Sequence, residues 1–324
     1  MIKNTRYTLT GTRLAKLCGV SQGTVDRALH GRSDINPETR EKILSVAKKY
    51  GFIFPEDRPD MSTKRGVIGV VVLDVSNEYF SNLIMYIESY CREIGYAISV
   101  MFSLNDPKNE LTCIESLYRM GVDGLILCPV GGGKDEDDME IYRKYLLSLD
   151  IPVVTVGNKI SGINYVGIDD YRAMKEVTEK VISLGYKRLI YTHPLQNNSD
   201  VYAGAQLLRK KAFTDTTGKY GSYTIVCKLP QALEIAADCS KNDAFICSSD
   251  LYALRLLNLA ESKGAGIIGF DNVSAIDTIG LGLDSVSYDI KMTAEKVMSL
   301  VCGGKKEESS EIIIKHNIIS RGSL

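Results

Sequence analysis

The chain has 324 residues, 44% of them hydrophobic and 24% charged, which suits a soluble protein with room for a small module and two larger lobes. No apolar run reaches the length of a membrane span, and the polar start Met1-Ile2-Lys3-Asn4 lacks a signal peptide's apolar core, so a cytoplasmic protein with no membrane partner is expected. The net charge of −1 conceals an asymmetry, since residues 1–65 carry 13 lysines and arginines against 7 aspartates and glutamates and leave the remainder acidic; a basic head on an acidic body is what phosphate attraction at one end requires.

In the head, Leu14, Ala15 and Leu17 recur at helical spacing after the polar Thr10-Gly11-Thr12 start. Gly19 ends this helix and Val20 plugs the corner before the next. Ser21 is a good N-cap for a second helix, in which Val25, Ala28 and Leu29 face a small core and Gln22, Gly23, Asp26 and Arg27 point outward. Asn36 can cap a third helix opening at Pro37, whose Ile43, Leu44, Val46 and Ala47 close a three-helix module. A tight turn leading into a short helix with polar outward residues fits a DNA major groove, although any small helical bundle can show a glycine turn. The stretch from Phe54 to Arg65, with Pro55 and Pro59, reads as a linker. The expected division is 1–54, a hinge over 55–65, and a body over 66–324.

The body alternates short apolar runs with helical patterns. Strands are expected at Val67–Leu73, Ala97–Phe102, Gly124–Cys128, Pro152–Val156, Leu189–Thr192, Tyr223–Val226, Ala244–Cys247 and Ile267–Phe270, with a helix from about Ser81 to Ile94 after the first. Such alternation implies right-handed crossovers and an α/β fold of two doubly wound parallel sheets, with a cleft beyond the carboxyl ends of the strands. The lobes are expected over about 66–158 plus 288–306 and about 159–287 plus 307–324.

Other chemistry falls away. The eight cysteines show no C-x-x-C spacing and read as reduced, mostly buried apolar groups. His30, His193 and His316 are too scattered for a zinc set, and Gly131-Gly132-Gly133-Lys134 lacks the flanking residues of a Walker phosphate loop, so neither cofactor nor metal is expected. No nucleophile and base pair stands out.

The whole chain resembles the lac repressor family of transcription factors. The resemblance rests on Gly19-Val20-Ser21 with Thr24-Val25 and Arg27, Pro37-Glu38-Thr39-Arg40-Glu41-Lys42, Gly51-Phe52, Ile68-Gly69-Val70, Ser76-Asn77-Glu78-Tyr79-Phe80, Gly121 to Ile126, Ile268 to Asn272, and Ser320-Arg321-Gly322-Ser323. It implies an N-terminal DNA reader, a hinge, and a bilobed core, like a periplasmic sugar-binding protein, that binds a small effector and dimerises. Carried onto this sequence, the DNA-contacting positions are Thr8, Ser21, Gln22, Gly23, Thr24 and Arg27, with His30 in a phosphate or turn role. Arg27 can grip guanine with both ends of its fork, the alternatives being a phosphate contact or an ion pair with Asp26 or Asp34. Met61 falls near the position of a minor-groove wedge, and the hinge reads equally as a one-turn helix or a charged tether.

For the effector, the expected contacts are Asp74, Ser76, Tyr79, Phe80, Pro129, Asn158, Asp169, Tyr202, Asp250, Asp271 and Tyr288, with Tyr191 and Tyr252 as further aromatic candidates; carboxylates and amides beside aromatic faces suit sugar recognition. Val201 stands where the family resemblance implies a ligand-holding arginine, which favours a less polar ligand, a tyrosine-lined site or no ligand. Met85, Tyr86 and Tyr90 are expected on the partner face of a homodimer, and the chain's stop soon after Arg321 implies no tetramer-forming tail. The expected partners are double-stranded DNA with a pseudo-palindromic operator, a small effector, a second copy and, further off, a corepressor protein. The competing classes are an enzyme using Asp74, Asp169 and Asp271, and a binding module without DNA readout.

Overall fold

The computed structural model describes residues 11–29, 32, 35–49, 64–130, 136–193, 204–304 and 308–324. In the head, α1 (Gly11–Cys18), α2 (Gln22–Leu29) and α3 (Pro37–Lys49) surround Leu14, Ala15, Cys18, Val25, Ala28, Ile43 and Ala47. Gly19, at a φ of 71° that favours glycine, turns the chain so that the Val20 amide donates to the Ala15 carbonyl at 2.9 Å. Both expected caps form: Ser21 Oγ accepts from the Thr24 amide at 3.1 Å, and Asn36 Oδ1 from the Glu38 amide at 2.8 Å. Leu17 faces outward, contrary to expectation, because the buried stripe of α1 follows Leu14, Ala15 and Cys18.

The body opens with β1 (Val67–Val72), α4 (Glu78–Glu93), β2 (Ala97–Phe102), α5 (Pro107–Met120), β3 (Gly124–Leu127), α6 (Glu136–Ser148), β4 (Val153–Val156) and β5 (Asn164–Gly167). The chain continues through α7 (Asp170–Ser183), β6 (Arg188–His193), α8 (Gly204–Tyr220), β7 (Tyr223–Lys228), α9 (Leu229–Ala237), β8 (Asp243–Cys247), α10 (Asp250–Ser262) and β9 (Gly266–Phe270). It ends with α11 (Ala275–Thr278), β10 (Asp284–Tyr288), α12 (Ile290–Cys302), β11 (Glu311–Ile313) and β12 (His316–Ile319). Two six-stranded sheets result, ordered β11-β5-β4-β3-β1-β2 and β12-β10-β9-β8-β6-β7. Every pairing is parallel except β10 with β12. Strands β1, β3, β4, β8 and β9 are buried almost along their whole length because helices cover both faces.

The lobe boundaries shift from the sequence expectation. β5 and β11 both belong to the first sheet, so the crossings follow Gly167 and Ile313 and not residues 158 and 306. The third crossing lies between β10 in the second sheet and α12, which packs against α4 in the first lobe. Helix α4 begins at Glu78, earlier than the expected Ser81, because Asn77 caps it by accepting from the Tyr79 amide at 3.0 Å. Met85 on that helix is exposed, whereas Tyr86 and Tyr90 lie partly against the core. All eight cysteines are free thiols, and Cys302 alone among them is exposed.

Candidate functional site

On the head, α2 presents Gln22, Gly23 and Asp26 to solvent. A side chain at Gly23 would meet nothing nearer than Ser21 Oγ at 3.9 Å, so the absence of one leaves the outer face of the helix start open. Ser21 and Thr24 share a hydroxyl hydrogen bond of 2.8 Å, and the half-buried Arg27 approaches Thr24 Oγ1 at 3.5 Å. The guanidinium is therefore braced from the helix start rather than stretched into solvent. Thr8, His30 and Met61 lie outside the described residues.

A cavity of about 420 Å³ opens where the carboxyl ends of both sheets face each other. Asp74, Ser76, Tyr79, Phe80, Pro129, Asn158, Asp271 and Tyr288 all line it, as does Tyr252. Asp74 accepts from both the amide and the hydroxyl of Ser76, at 2.8 and 2.7 Å, a turn that holds this wall. Tyr79 lies edge-on to Phe80 with centroids 5.1 Å apart and tilted against Tyr288 at 5.7 Å, so three rings form one apolar side.

Three expected residues stand elsewhere. Asp169 is the exposed N-cap of α7, accepting from the Arg172 amide at 2.9 Å, and its neighbour Asp170 faces the cavity in its place. Asp250 is buried behind the wall, where it accepts from Ser285 Oγ at 2.7 Å and the Val273 amide at 2.9 Å. Burial pushes its pKa up to about 7. Tyr191 is wholly buried and stacked on Phe213 at 5.1 Å, which is packing. Tyr202 and Val201 lie outside the described residues.

The cavity also holds an arginine that the sequence reading did not assign. Arg209, on α8, lines the cavity with 6% of its surface exposed. Its Nε donates to Asp170 Oδ1 at 2.7 Å, its Nη1 donates to the Ser248 carbonyl at 2.7 Å and lies 3.8 Å from Asp271 Oδ1, and the guanidinium sits 3.5 Å over the Phe270 ring. Burial alone would lower its pKa, but Asp170 and Asp271 outweigh that and hold it charged. Burial pushes both carboxyls up against the downward pull of the arginine. A signal existed: the buried face of α8 runs Arg209, Ala212, Phe213, Thr216, Thr217, so Arg209 sits on the inward stripe despite its neighbours Lys210 and Lys211.

The two lobes touch through polar side chains. Asp271, at the end of β9 with a φ of 101°, accepts from Asn77 Nδ2 of the other lobe at 3.0 Å, from Tyr288 Oη at 3.0 Å and from Ser249 Oγ at 3.2 Å. Glu78 accepts from the Ser274 amide at 2.9 Å, and Asn158 links the Pro129 carbonyl to the Ala205 amide, the latter at 2.7 Å. Asn77, Gln206 and Arg209 are cavity residues that the sequence reading did not assign. Among the described residues no group of three or more His, Cys, Asp or Glu side chains is placed to hold a metal ion, and no helix is long and apolar enough to cross a membrane.

A family profile described as bacterial regulatory proteins, lacI family, matches residues 14–54, and one described as periplasmic binding proteins and sugar binding domain of LacI family matches residues 65–225. The chain is 28% identical to catabolite control protein A of Staphylococcus xylosus over 333 residues, covering 98% of this chain and 99% of that one. Among solved structures, it resembles a cellobiose complex of the transcriptional regulator CelR with a TM-score of 0.65 at 17% identity, covering 97% of this chain and 99% of that one. It resembles the lac repressor dimer bound to operator and the anti-inducer ONPF with a TM-score of 0.65 at 16% identity, covering 98% and 99%. A helix-turn-helix head joined to a bilobed α/β body, matched in order by both profiles, makes this chain a member of the lacI family of DNA-binding transcriptional regulators.

Proposed function

We propose that this regulator binds a pseudo-palindromic operator as a homodimer and exchanges that binding against occupancy of the interlobe cavity by a small polyhydroxylated effector. The carrying observation is the cavity itself: its walls come from both lobes, and Asn77, Glu78 and Asn158 already tie those lobes together across it. A ligand seated among these groups alters lobe closure, and closure alters the spacing of two DNA heads. Repression of a catabolic or transport operon is the regulatory sense that the family suggests. Arg27 reads a base, with Ser21, Gln22, Gly23 and Thr24 at the same face, and Thr8, His30 and Met61 supply backbone and minor-groove contacts. Asp74, Ser76, Tyr79, Phe80, Pro129, Asn158, Asp170, Arg209, Asp271 and Tyr288 form the effector site.

The test is duplex binding by the full chain against salt, using a sequence selected from a random pool and its scrambled counterpart. Steep salt dependence on both duplexes is expected. Arg27→Ala should weaken the selected sequence by about 1–3 kcal/mol and leave the scrambled one almost unchanged. Equal losses on both would assign Arg27 to phosphate contact.

A further inference from the structure

We infer that Arg65 and Asp123 form the anchor that fixes the direction in which the linker to the DNA head leaves the body, so that the distance between two heads follows the first lobe. Both are positioning residues, and the inference rests on the proposed reading that two heads meet one operator. Arg65 and Gly66 stand just before β1, where the linker expected over 55–65 joins the body. Asp123 Oδ1 accepts from the Arg65 amide at 2.9 Å, and its Oδ2 accepts from the Gly66 and Val67 amides at 2.6 and 3.2 Å. Gly66 has a φ of 70°, and a glycine at such a junction is a swivel unless the peptide on each side of it is held. One carboxylate holds both of them, and the Arg65 amide as well.

The Arg65 side chain turns back to the same place. Its Nη1 donates to the Met120 carbonyl at the end of α5 at 3.1 Å, and its guanidinium lies over Gly121, where a Cβ would come within 2.8 Å of Nε. Strand β1 does not need these contacts, since β2 and β3 pair with it on either side. What they fix is the chain before it. They also tie that chain to the cavity: α5, with 14 residues and a length of about 21 Å, starts just after the wall residues Leu104 and Asn105. Its Glu110 holds the Val130 amide, next to the wall residue Pro129. One helix thus has the cavity wall at its first turn and the linker's anchor at its last.

The experiment is binding of the full chain to the selected duplex, to the same duplex with two base pairs inserted at its centre, to a single half-site and to the scrambled sequence. The native protein should lose about tenfold or more on the insertion, because anchored heads cannot follow displaced half-sites. In the double variant Arg65→Ala with Asp123→Ser, which leaves the net charge unchanged, that loss should shrink to about threefold or less, with half-site and scrambled affinities within about twofold of native. A full native penalty in the double variant overturns the anchor and leaves the two-head reading standing. Equal losses on every duplex overturn the anchor too, as the mark of a weakened fold. If Asp123→Ser does not fold, Arg65→Ala decides alone, because that side chain is exposed and outside every strand: an insertion penalty smaller than native upholds the anchor, and an unchanged one sinks it. A native protein indifferent to the insertion overturns the two-head reading itself, and the anchor with it.

Discussion

Two buried carboxyls outside the cavity give the protein a pH signature. Glu110, wholly buried on α5, accepts from the Val130 amide at 2.6 Å and from Tyr142 Oη at 2.5 Å, and burial pushes its pKa up to about 7. Asp250 is raised to about 7 for the same first cause, with the Asp271 charge adding to it. A carboxyl whose pKa is raised by folding binds its proton more tightly in the folded state. Its contribution is therefore largest below the unfolded pKa, falls as pH climbs toward the folded value, and is level above it. Unfolding by urea should accordingly show stability dropping by about 2–4 kcal/mol for each group between about pH 4.5 and pH 7. Glu110→Gln, which keeps an acceptor for the Val130 amide, should flatten that slope; an unchanged slope would show that the carboxyl stays ionised in the folded state.

At this scale the sequence was legible to within one residue and no closer. Asp169 and Asp170 are chemically equivalent in a list of strand-end acids, and the phase of α7 alone decides that the first caps the helix and the second turns to the cavity. Asp250 shows the same limit, since a carboxylate after a strand serves equally to tie down the Val273 amide from behind.

Elements with a strong pattern were read correctly, and short polar ones were not. The apolar runs of β1, β3, β4, β8 and β9 stand out because both faces are covered. The pieces Asn164–Gly167, next to a sheet edge, and Glu311–Ile313 and His316–Ile319, at the edges, are three or four residues long with polar members, and their strand character comes from pairing with their neighbours. Packing between elements is equally invisible in the sequence. A methyl group added to Gly124 on β3 would lie 2.4 Å from Val301 Cγ2 on α12, so glycine is what lets that helix close on the sheet. Gly124→Ala should destabilise the protein by about 1–3 kcal/mol. Adding Val301→Ala should recover part of that loss, giving a coupling of about 1 kcal/mol in a double-mutant cycle; strict additivity of the two losses would place the strain elsewhere.

For the molecule as a whole, the head and the body act on one another through linked equilibria. If a bound sugar lowers operator affinity by some factor, operator must lower sugar affinity by the same factor. Fluorescence anisotropy of labelled duplex with and without sugar, and calorimetry of the sugar with and without duplex, should return equal factors of about 5–150. Asn77→Ala removes a side chain that both caps α4 and reaches Asp271, so it should shrink that factor while leaving salt-dependent attraction to scrambled duplex intact.

The three crossings between the lobes lie side by side. Gly167 pairs with Ile313, Tyr288 pairs with His316, and the Ile314 amide donates to the Gly167 carbonyl at 2.7 Å. Three covalent straps bound into one bundle resist sliding and twisting much more than they resist bending. The lobes are thereby left with essentially a single swing, like a book turning on its spine. A small molecule at the open edge acts with the full width of the protein as its lever arm.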